Sequence, residues 1–578
     1  MILRNDLLRG LNENQKKAVI SDNKRILCLA GAGSGKTEVI TRKTAYMLKS
    51  RISPRNIACI TFTRAAGKEM KKRINSIDNE KGKDVFCNTF HKFCIEILNK
   101  YGYRIGISPN FSIINQEERD RVLGEISLEF NYKYKSKDVN KIIVKYEDYE
   151  NKTFKEKEIV DTYITYMREN NSCDIEMLQY FAFYLLKEYK DVKAYYHNTY
   201  KYISIDEYQD TNNIQNLIID EINPEYLFVV GDNRQAIYGF RGANIEHILS
   251  FKEKYKEADV IQLINNYRST DKIVAASNNL ISHAKNQISD NMIANKQGSN
   301  ILFINSENEE LQARNIVLTL TSYEDIDYSD MAIVSRTNKE LDYIAKYLDD
   351  MKVPYVRNIK DTFPNEYLLL FSNLQNVENS TKLYSLLKKV DIISEEELKV
   401  MKIKSLESGI SLFNYMKNIK EGAPKEFIKV LNDIKVTSNL YEYMQKACRL
   451  FSLNFNDIKE HINSWINEQL ELGEKRISIN DFIKDMYLDS SKKINDDGIS
   501  LVTVHGSKGL EWHTTVVIGL NESNFPQKRG DEEEERRMAY VAFTRAKEKL
   551  ILSSYENGYD FKKQPIKLEK SKFLDEIN

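Results

Sequence analysis

Two short stretches of this chain carry side chains suited to phosphate chemistry. The first is Gly31-Ala32-Gly33-Ser34-Gly35-Lys36-Thr37, which follows an apolar run at residues 25–29 and precedes a segment of helical spacing. Glycines let backbone N–H groups turn toward phosphate oxygens, and the start of a helix adds the positive end of its dipole. In that setting Lys36 is expected to reach the β- and γ-phosphates of a nucleotide, and the Thr37 hydroxyl to ligate Mg²⁺. The second stretch is Asp206-Glu207-Tyr208-Gln209-Asp210, at the end of another apolar run, 202–205. Carboxylates at the carboxyl end of a parallel strand sit where α/β sheets bind ligands. Asp206 is expected to hold the metal from its second side, and Glu207 to orient and deprotonate a water.

Such groups need strands to carry them. Strand-length runs rich in Ile, Val and Leu recur in two sets, at 25–29, 57–61, 202–205, 227–230 and 260–263, then at 301–304, 331–334, 499–504, 515–518 and 550–552. Most are apolar on consecutive positions, as strands covered on both faces are. Helical-period segments such as 38–48 and 65–74 lie between them, so the alternation predicts an α/β fold with two parallel sheets. Both sets are interrupted by stretches of helix formers. The expected organisation is a first α/β domain from 1–92 and 189–272 with a helical insertion at 93–188. A second α/β domain is expected from 273–365 and 495–578, with an insertion at 366–494.

The 578 residues exceed one ordinary domain several-fold, and 42% hydrophobic with 29% charged content excludes a disordered chain. No run approaches the ~20 apolar residues of a membrane span. The first residues lack an apolar signal core, and none of the six cysteines forms a CxxC pair. A reduced, cytoplasmic setting without zinc or iron–sulfur ligation is therefore expected. The 85 basic and 85 acidic side chains balance. This argues mildly against a dedicated nucleic-acid binder, although a whole-chain sum hides local charge.

The motifs around these residues resemble those of UvrD/Rep-type superfamily 1 helicases, in the family's order. Asp206 through Asn212 resembles the family's second motif. Leu11-Asn12 with Gln15 resembles its adenine-reading glutamine motif, Thr61-Phe62-Thr63-Arg64-Ala65-Ala66 motif Ia, and Thr89-Phe90-His91 motif Ib. Gly231-Asp232 with Gln235 through Ala243 resembles motif III, Asn266-Tyr267-Arg268-Ser269 motif IV, Thr503 through Glu511 motif V, and Glu534 through Ala546 motif VI. The resemblance covers roughly half of the chain. It implies two RecA-like motor domains with 1B and 2B insertions, ATP and Mg²⁺ as cofactors, and 3′→5′ movement on single-stranded DNA and single-/double-strand junctions.

It also implies residue roles. ATP would be held by Gln15, Ala32, Gly33, Ser34, Gly35, Lys36 and Thr37, with Tyr267 stacked on adenine and Glu511 bonding the ribose. Arg268 and Arg545 would reach the γ-phosphate from the second domain, with Gln235 linking phosphate to DNA. Planar guanidinium forks suit that task, and such an arginine accelerates phosphoryl transfer by about 10³–10⁵. Phe62, His91, Tyr238, Phe240, Arg241 and His505 would line the DNA track, by stacking and by positive charge.

The chain departs from the family at several points. Ala30 replaces the first glycine of the general phosphate-loop pattern. Glu38 follows Thr37 where many members have a basic residue, which puts the second face of the adenine site in question. Phe240 stands where many have tryptophan. The second insertion looks short and no nuclease signature follows motif VI. The short second insertion and the balanced net charge favour an alternative: a DNA-stimulated ATPase that translocates or senses ends without unwinding and serves a nuclease partner. Compact UvrD-like subunits of anti-phage systems such as Gabija are of this kind. A scaffold that binds ATP without turnover is the third reading, and the presence of Lys36, Asp206, Glu207, Arg268 and Arg545 weighs against it. Oligomeric state is left open.

Overall fold

The ten apolar runs become strands, and two further strands flank them. A computed structural model describes residues 6–129, 151–357, 363–388, 393–437, 439–473, 477–488, 497–559 and 564–577. The first sheet contains β1 (Arg25–Ala30), β2 (Ile57–Thr61), β3 (Phe86–Thr89), β4 (Tyr202–Ile205), β5 (Tyr226–Gly231) and β6 (Asp259–Leu263). Their order is β3-β2-β4-β5-β1-β6, with parallel pairing throughout. The second sheet is built from β7 (Leu302–Asn308), β8 (Met331–Ser335), β9 (Tyr355–Arg357), β10 (Ile499–Thr503), β11 (Trp512–Val517) and β12 (Ala546–Tyr559). Its order is β7-β12-β11-β8-β10-β9, again parallel, and a short antiparallel strand, Pro565–Lys567, pairs with the end of β12. The fold is α/β, as expected.

Each sheet is covered on both faces, which explains why its central strands are apolar on consecutive residues. On one face of the first sheet, α1 (Glu13–Ile20), α2 (Lys36–Lys49) and α3 (Arg64–Ile77) bury Val19, Val39, Ile40, Met70 and Ile74 against Cys28, Ile57 and Cys59. On the other face, α4 (Phe90–Tyr101) places Phe93, Ile97 and Leu98 in one core with Ile60, Ile203 and the first insertion's Tyr163 and Phe181. Burying each such side chain contributes about 1.5–3 kcal/mol. Helix starts are set locally. Asn12 and Gln15 form a reciprocal capping box on α1, while Thr63 and Thr89 accept from the Ala66 and Lys92 amides at the starts of α3 and α4. These caps fix where the residues after β2 and β3 emerge.

The insertions are mainly helical. The first also contains a two-stranded pair, Ser112–Ile113 with Ser172–Cys173, that was not expected. The second has its own core around Phe371, Phe413, Phe427 and Trp465. It is seated on the first α/β unit: the Asp485 carboxylate accepts from Arg64 Nη2 (3.1 Å), Lys92 Nζ (2.9 Å) and Trp465 Nε1 (3.1 Å). No helix among the described residues is long and apolar enough to cross a membrane.

Candidate functional site

The glycine-rich turn joins β1 to α2, and its glycines are required by shape. Gly33 and Gly35 have φ of +68° and +86°, in the left-handed region. A Cβ on Gly33 would lie 2.5 Å from the Arg268 Cβ, and one on Gly35 2.9 Å from Gln15 Nε2. The cradle is thus closed by the glutamine motif on one side and by Arg268 on another. Gln15 Nε2 donates to the Ser34 carbonyl (3.0 Å), and Asn12 Nδ2 to the Tyr267 hydroxyl (2.8 Å). The Tyr267 ring is 48% exposed and free to receive a base. The Glu38 carboxylate pairs with Arg42 (2.5 Å) and Arg73 (3.3 Å).

Asp206 and Glu207 leave the end of β4 beside this turn. Lys36 Nζ lies 3.4 Å from Glu207 Oε1, and Glu207 adopts φ of +52°, a strained value for a side-chain-bearing residue. The two carboxylates are driven apart in acidity. Burial and the Glu207 charge push Asp206 up to about 7. Burial also acts upward on Glu207, but Lys36 and Lys508 outweigh it and hold that group down to about 2. A divalent cation beside Asp206 would favour its ionised form. The donor set of Thr37, Asp206 and phosphate oxygens is the hard-oxygen kind Mg²⁺ takes, so ATP and Mg²⁺ fit the cradle.

Arg268, expected from the second domain, instead follows β6 of the first sheet and packs against Gly33, whereas Arg545 comes from the second α/β unit. Arg268 is anchored through its amide to Asn266 Oδ1 (2.9 Å), and its guanidinium pairs with Glu511 (2.5 Å) and donates to the Thr544 carbonyl (3.2 Å). Arg545, at the end of α5 (Glu532–Phe543), is 2% exposed. It donates to the Val541 carbonyl (2.8 Å), the Leu510 carbonyl (3.1 Å) and the Thr544 hydroxyl (3.0 Å). Burial, then the like charge of Arg268, lower its pKa to about 9, while Glu207 acts in the opposite direction. One guanidinium, Arg268, therefore flanks the phosphate turn from the first unit, and a second, Arg545, approaches it across the seam. Glu511 spans Arg268 and Lys547 (3.2 Å), so the residue assigned to the ribose is an arginine holder in this structure. Gln235 Nε2 donates to the Asp232 carboxylate (2.8 Å). The acidic run before Arg545 caps α5 through Asp531, and Glu535 is buried against Arg336 (2.8 Å).

On the adjoining surface, Phe62 and Tyr238 stack with centroids 4.9 Å apart at 15°. Phe240 is 64% exposed and meets the His505 ring edge-on at 4.9 Å. The Arg241 guanidinium lies 5.2 and 5.5 Å from the Tyr238 and Phe240 rings. These five residues form one cluster. His91 is turned elsewhere, its Nε2 sharing a hydrogen bond with Gln179 Nε2 (3.2 Å). Burial holds His91 down to about 4, and burial with Arg336 does the same for His505. Sequence reasoning overlooked Lys508, Asp210, Arg234 and Arg537, which also line the seam. Arg537 Nε donates to the Ala236 carbonyl (2.8 Å), and Arg234 lies 5.4 Å from the Tyr540 ring. Lys508 stood inside the motif V stretch, but nothing local in the sequence marks a lysine as crossing to another domain.

Comparison with known proteins accounts for this arrangement. Residues 11–256 match the UvrD/REP helicase N-terminal domain, and residues 261–475 and 363–557 match the UvrD-like helicase C-terminal domain. The chain is 30% identical to the ATP-dependent DNA helicase PcrA of Staphylococcus epidermidis, over 99% of this chain and 87% of that protein. The same identity and coverage hold for PcrA of Staphylococcus aureus strain MRSA252. A phosphate cradle on one parallel sheet with Arg268 beside it, and Arg545 brought from the unit of the other, are what such an enzyme requires, and the chain belongs to the UvrD/Rep helicase family.

Proposed function

We propose that the chain is an ATP-dependent DNA helicase that moves 3′→5′ along single-stranded DNA and opens duplex at junctions, using hydrolysis at the seam between its two sheets. The observation that carries this reading is the half-buried Arg268 beside the Gly33–Thr37 turn together with the buried Arg545 that approaches from the other unit. Among the described residues the Arg545 guanidinium is bonded to carbonyl and hydroxyl oxygens, and a phosphate is the natural counter-charge for it.

In this reading backbone amides of the turn and Lys36 grip the β- and γ-phosphates, and Tyr267 covers the base. Mg²⁺, held by Thr37 and Asp206, would neutralise charge developing on the transferred group. When phosphate draws Lys36 toward itself, its pairing with Glu207 weakens and that carboxylate is released to accept a proton from water. Arg268 beside the turn and Arg545 from across the seam compensate charge on the phosphoryl oxygens. Loss of that bridge on hydrolysis lets the seam relax, which alters the grip of Phe62, Tyr238, Phe240, Arg241 and His505 on the strand. A stacked base is worth about 1–3 kcal/mol and a duplex step costs about 1.4 kcal/mol. Stacking can therefore hold a parted strand, while direction must come from the ATP cycle.

The alternative of a non-unwinding sensor serving a nuclease gains no support from the relatives, which are named as helicases. ATP turnover with and without oligo-dT, beside unwinding of a 3′-tailed duplex, tests the proposal. Stimulation with unwinding is expected. Stimulation without unwinding would favour the sensor, and no turnover with any nucleic acid would reduce the chain to a scaffold.

A further inference from the structure

One buried cation at the seam has no part in the scheme above. Lys508 follows β10 in the second α/β unit, yet its side chain is 7% exposed and its ammonium lies among residues of the first. Nζ is 2.5 Å from Asp210 Oδ2, 2.7 Å from the Gln235 carbonyl oxygen and 4.9 Å from the Tyr238 ring centroid. These partners come from two functional segments, the Asp206–Asp210 turn and the Gln235–Ala243 stretch. Asp210 closes the turn that begins at Asp206 and Glu207, and Gln209 Nε2 donates to both Glu207 (2.5 Å) and Asp210 (3.3 Å). Gln209 Oε1 also accepts from the Asp232 amide (2.9 Å), whose side chain holds Gln235. Tyr238 is half of the stacked pair with Phe62 on the strand surface.

We infer that Lys508 is a positioning residue that carries strand occupancy at Tyr238 to the Glu207 turn through Asp210 and Gln209. The inference rests on the proposed function. An ammonium donates in three directions and tolerates no unpaired burial, so a shift of the Tyr238 segment moves the Gln235 carbonyl and obliges Lys508 and Asp210 to follow. Simple adhesion of the two units does not need it. Arg537 to the Ala236 carbonyl, Arg268 to the Thr544 carbonyl and Ser269 to the Ala546 carbonyl (2.6 Å) already bridge the same seam, and none of them touches both the Glu207 turn and the strand platform.

The test uses the full chain with Lys508→Met, Lys508→Arg, Asp210→Asn and the Lys508→Met/Asp210→Asn double variant. The quantities read are kcat and KM for ATP without DNA and with saturating oligo-dT, and oligo-dT affinity by fluorescence anisotropy. Lys508→Met is expected to lower the ratio of stimulated to unstimulated kcat by about tenfold or more, with oligo-dT affinity changed by less than about threefold. Lys508→Arg should recover a large part of the ratio. The double variant should be no worse than Lys508→Met, because both changes cut one link. Equal losses with and without DNA, no rescue by arginine, or additive losses would each overturn the inference and leave the helicase reading intact. A native chain that oligo-dT does not stimulate would overturn both. If Lys508→Met fails to fold, Asp210→Asn and Lys508→Arg carry the same ratio test.

Discussion

The nucleotide corner and the strand surface lie side by side, yet they are built in opposite ways. At the corner, rigid backbone does the work: left-handed Gly33 and Gly35, a Gln15 bond to Ser34, and an arginine Cβ packed where any larger residue would collide. Its charges are buried and mutually adjusted, with Asp206 driven up and Glu207 down in pKa. The strand surface is made of side chains from separated segments, one of them largely exposed, and two of its rings rest on each other. The difference is what a motor requires. The chemistry must be preorganised because developing charge leaves no time for reorganisation, whereas a track must release as readily as it binds.

If the two regions divide the labour in this way, substitutions should separate them. The largest effect belongs to the corner. Glu207→Gln should lower ATP turnover by about 10²–10⁴-fold, and Lys36→Ala should likewise abolish it. Oligo-dT affinity, read by anisotropy, should stay within about threefold of the native value in both; a parallel collapse of DNA binding would erase the division. Next comes Phe240→Ala. Loss of one stacking partner is worth about 1–3 kcal/mol, so oligo-dT affinity should fall about 5- to 150-fold while unstimulated turnover is preserved. The smallest effect concerns pH. Because His91 and His505 are held well below the ordinary histidine range, both stay neutral from about pH 8 down to about pH 6. Oligo-dT affinity should change by less than about twofold over that interval. A steep gain on acidification would mean that a histidine charges on the track and that its ring is less enclosed than described.

Legibility in the sequence followed the same division. The phosphate turn, the Asp206–Glu207 pair and the central strands could be read because local spacing and consecutive apolar residues encode them. Two strands of the parallel sheets escaped notice, Phe86–Thr89 and Tyr355–Arg357. Both are sheet edges, only partly buried, and so free to carry Asn88 and Arg357. β12 was foreseen only at 550–552, because its outer half pairs at the sheet margin and carries Ser553, Ser554, Glu556 and Asn557. The cross-seam contacts were out of reach altogether. Lys508 and Asp210 are 298 residues apart, and no periodicity records such a pairing. Side-chain partners behaved similarly: family likeness suggested that Glu511 meets a ribose and Gln235 a phosphate, but only coordinates reveal that Arg268 and Asp232 hold them here.

The central claim, that ATP is clasped between the cradle of one sheet and the Arg545 guanidinium from the other unit, is tested most directly at Arg545. Turnover and ATP affinity should be measured together for Arg545→Ala, with Arg545→Lys as the control for packing. The account expects kcat to fall by about 10³–10⁵, ATP affinity to stay within about fivefold, and lysine to rescue little because it lacks the planar fork. Turnover that survives the loss of Arg545, or a fall explained wholly by weaker ATP binding, would contradict it.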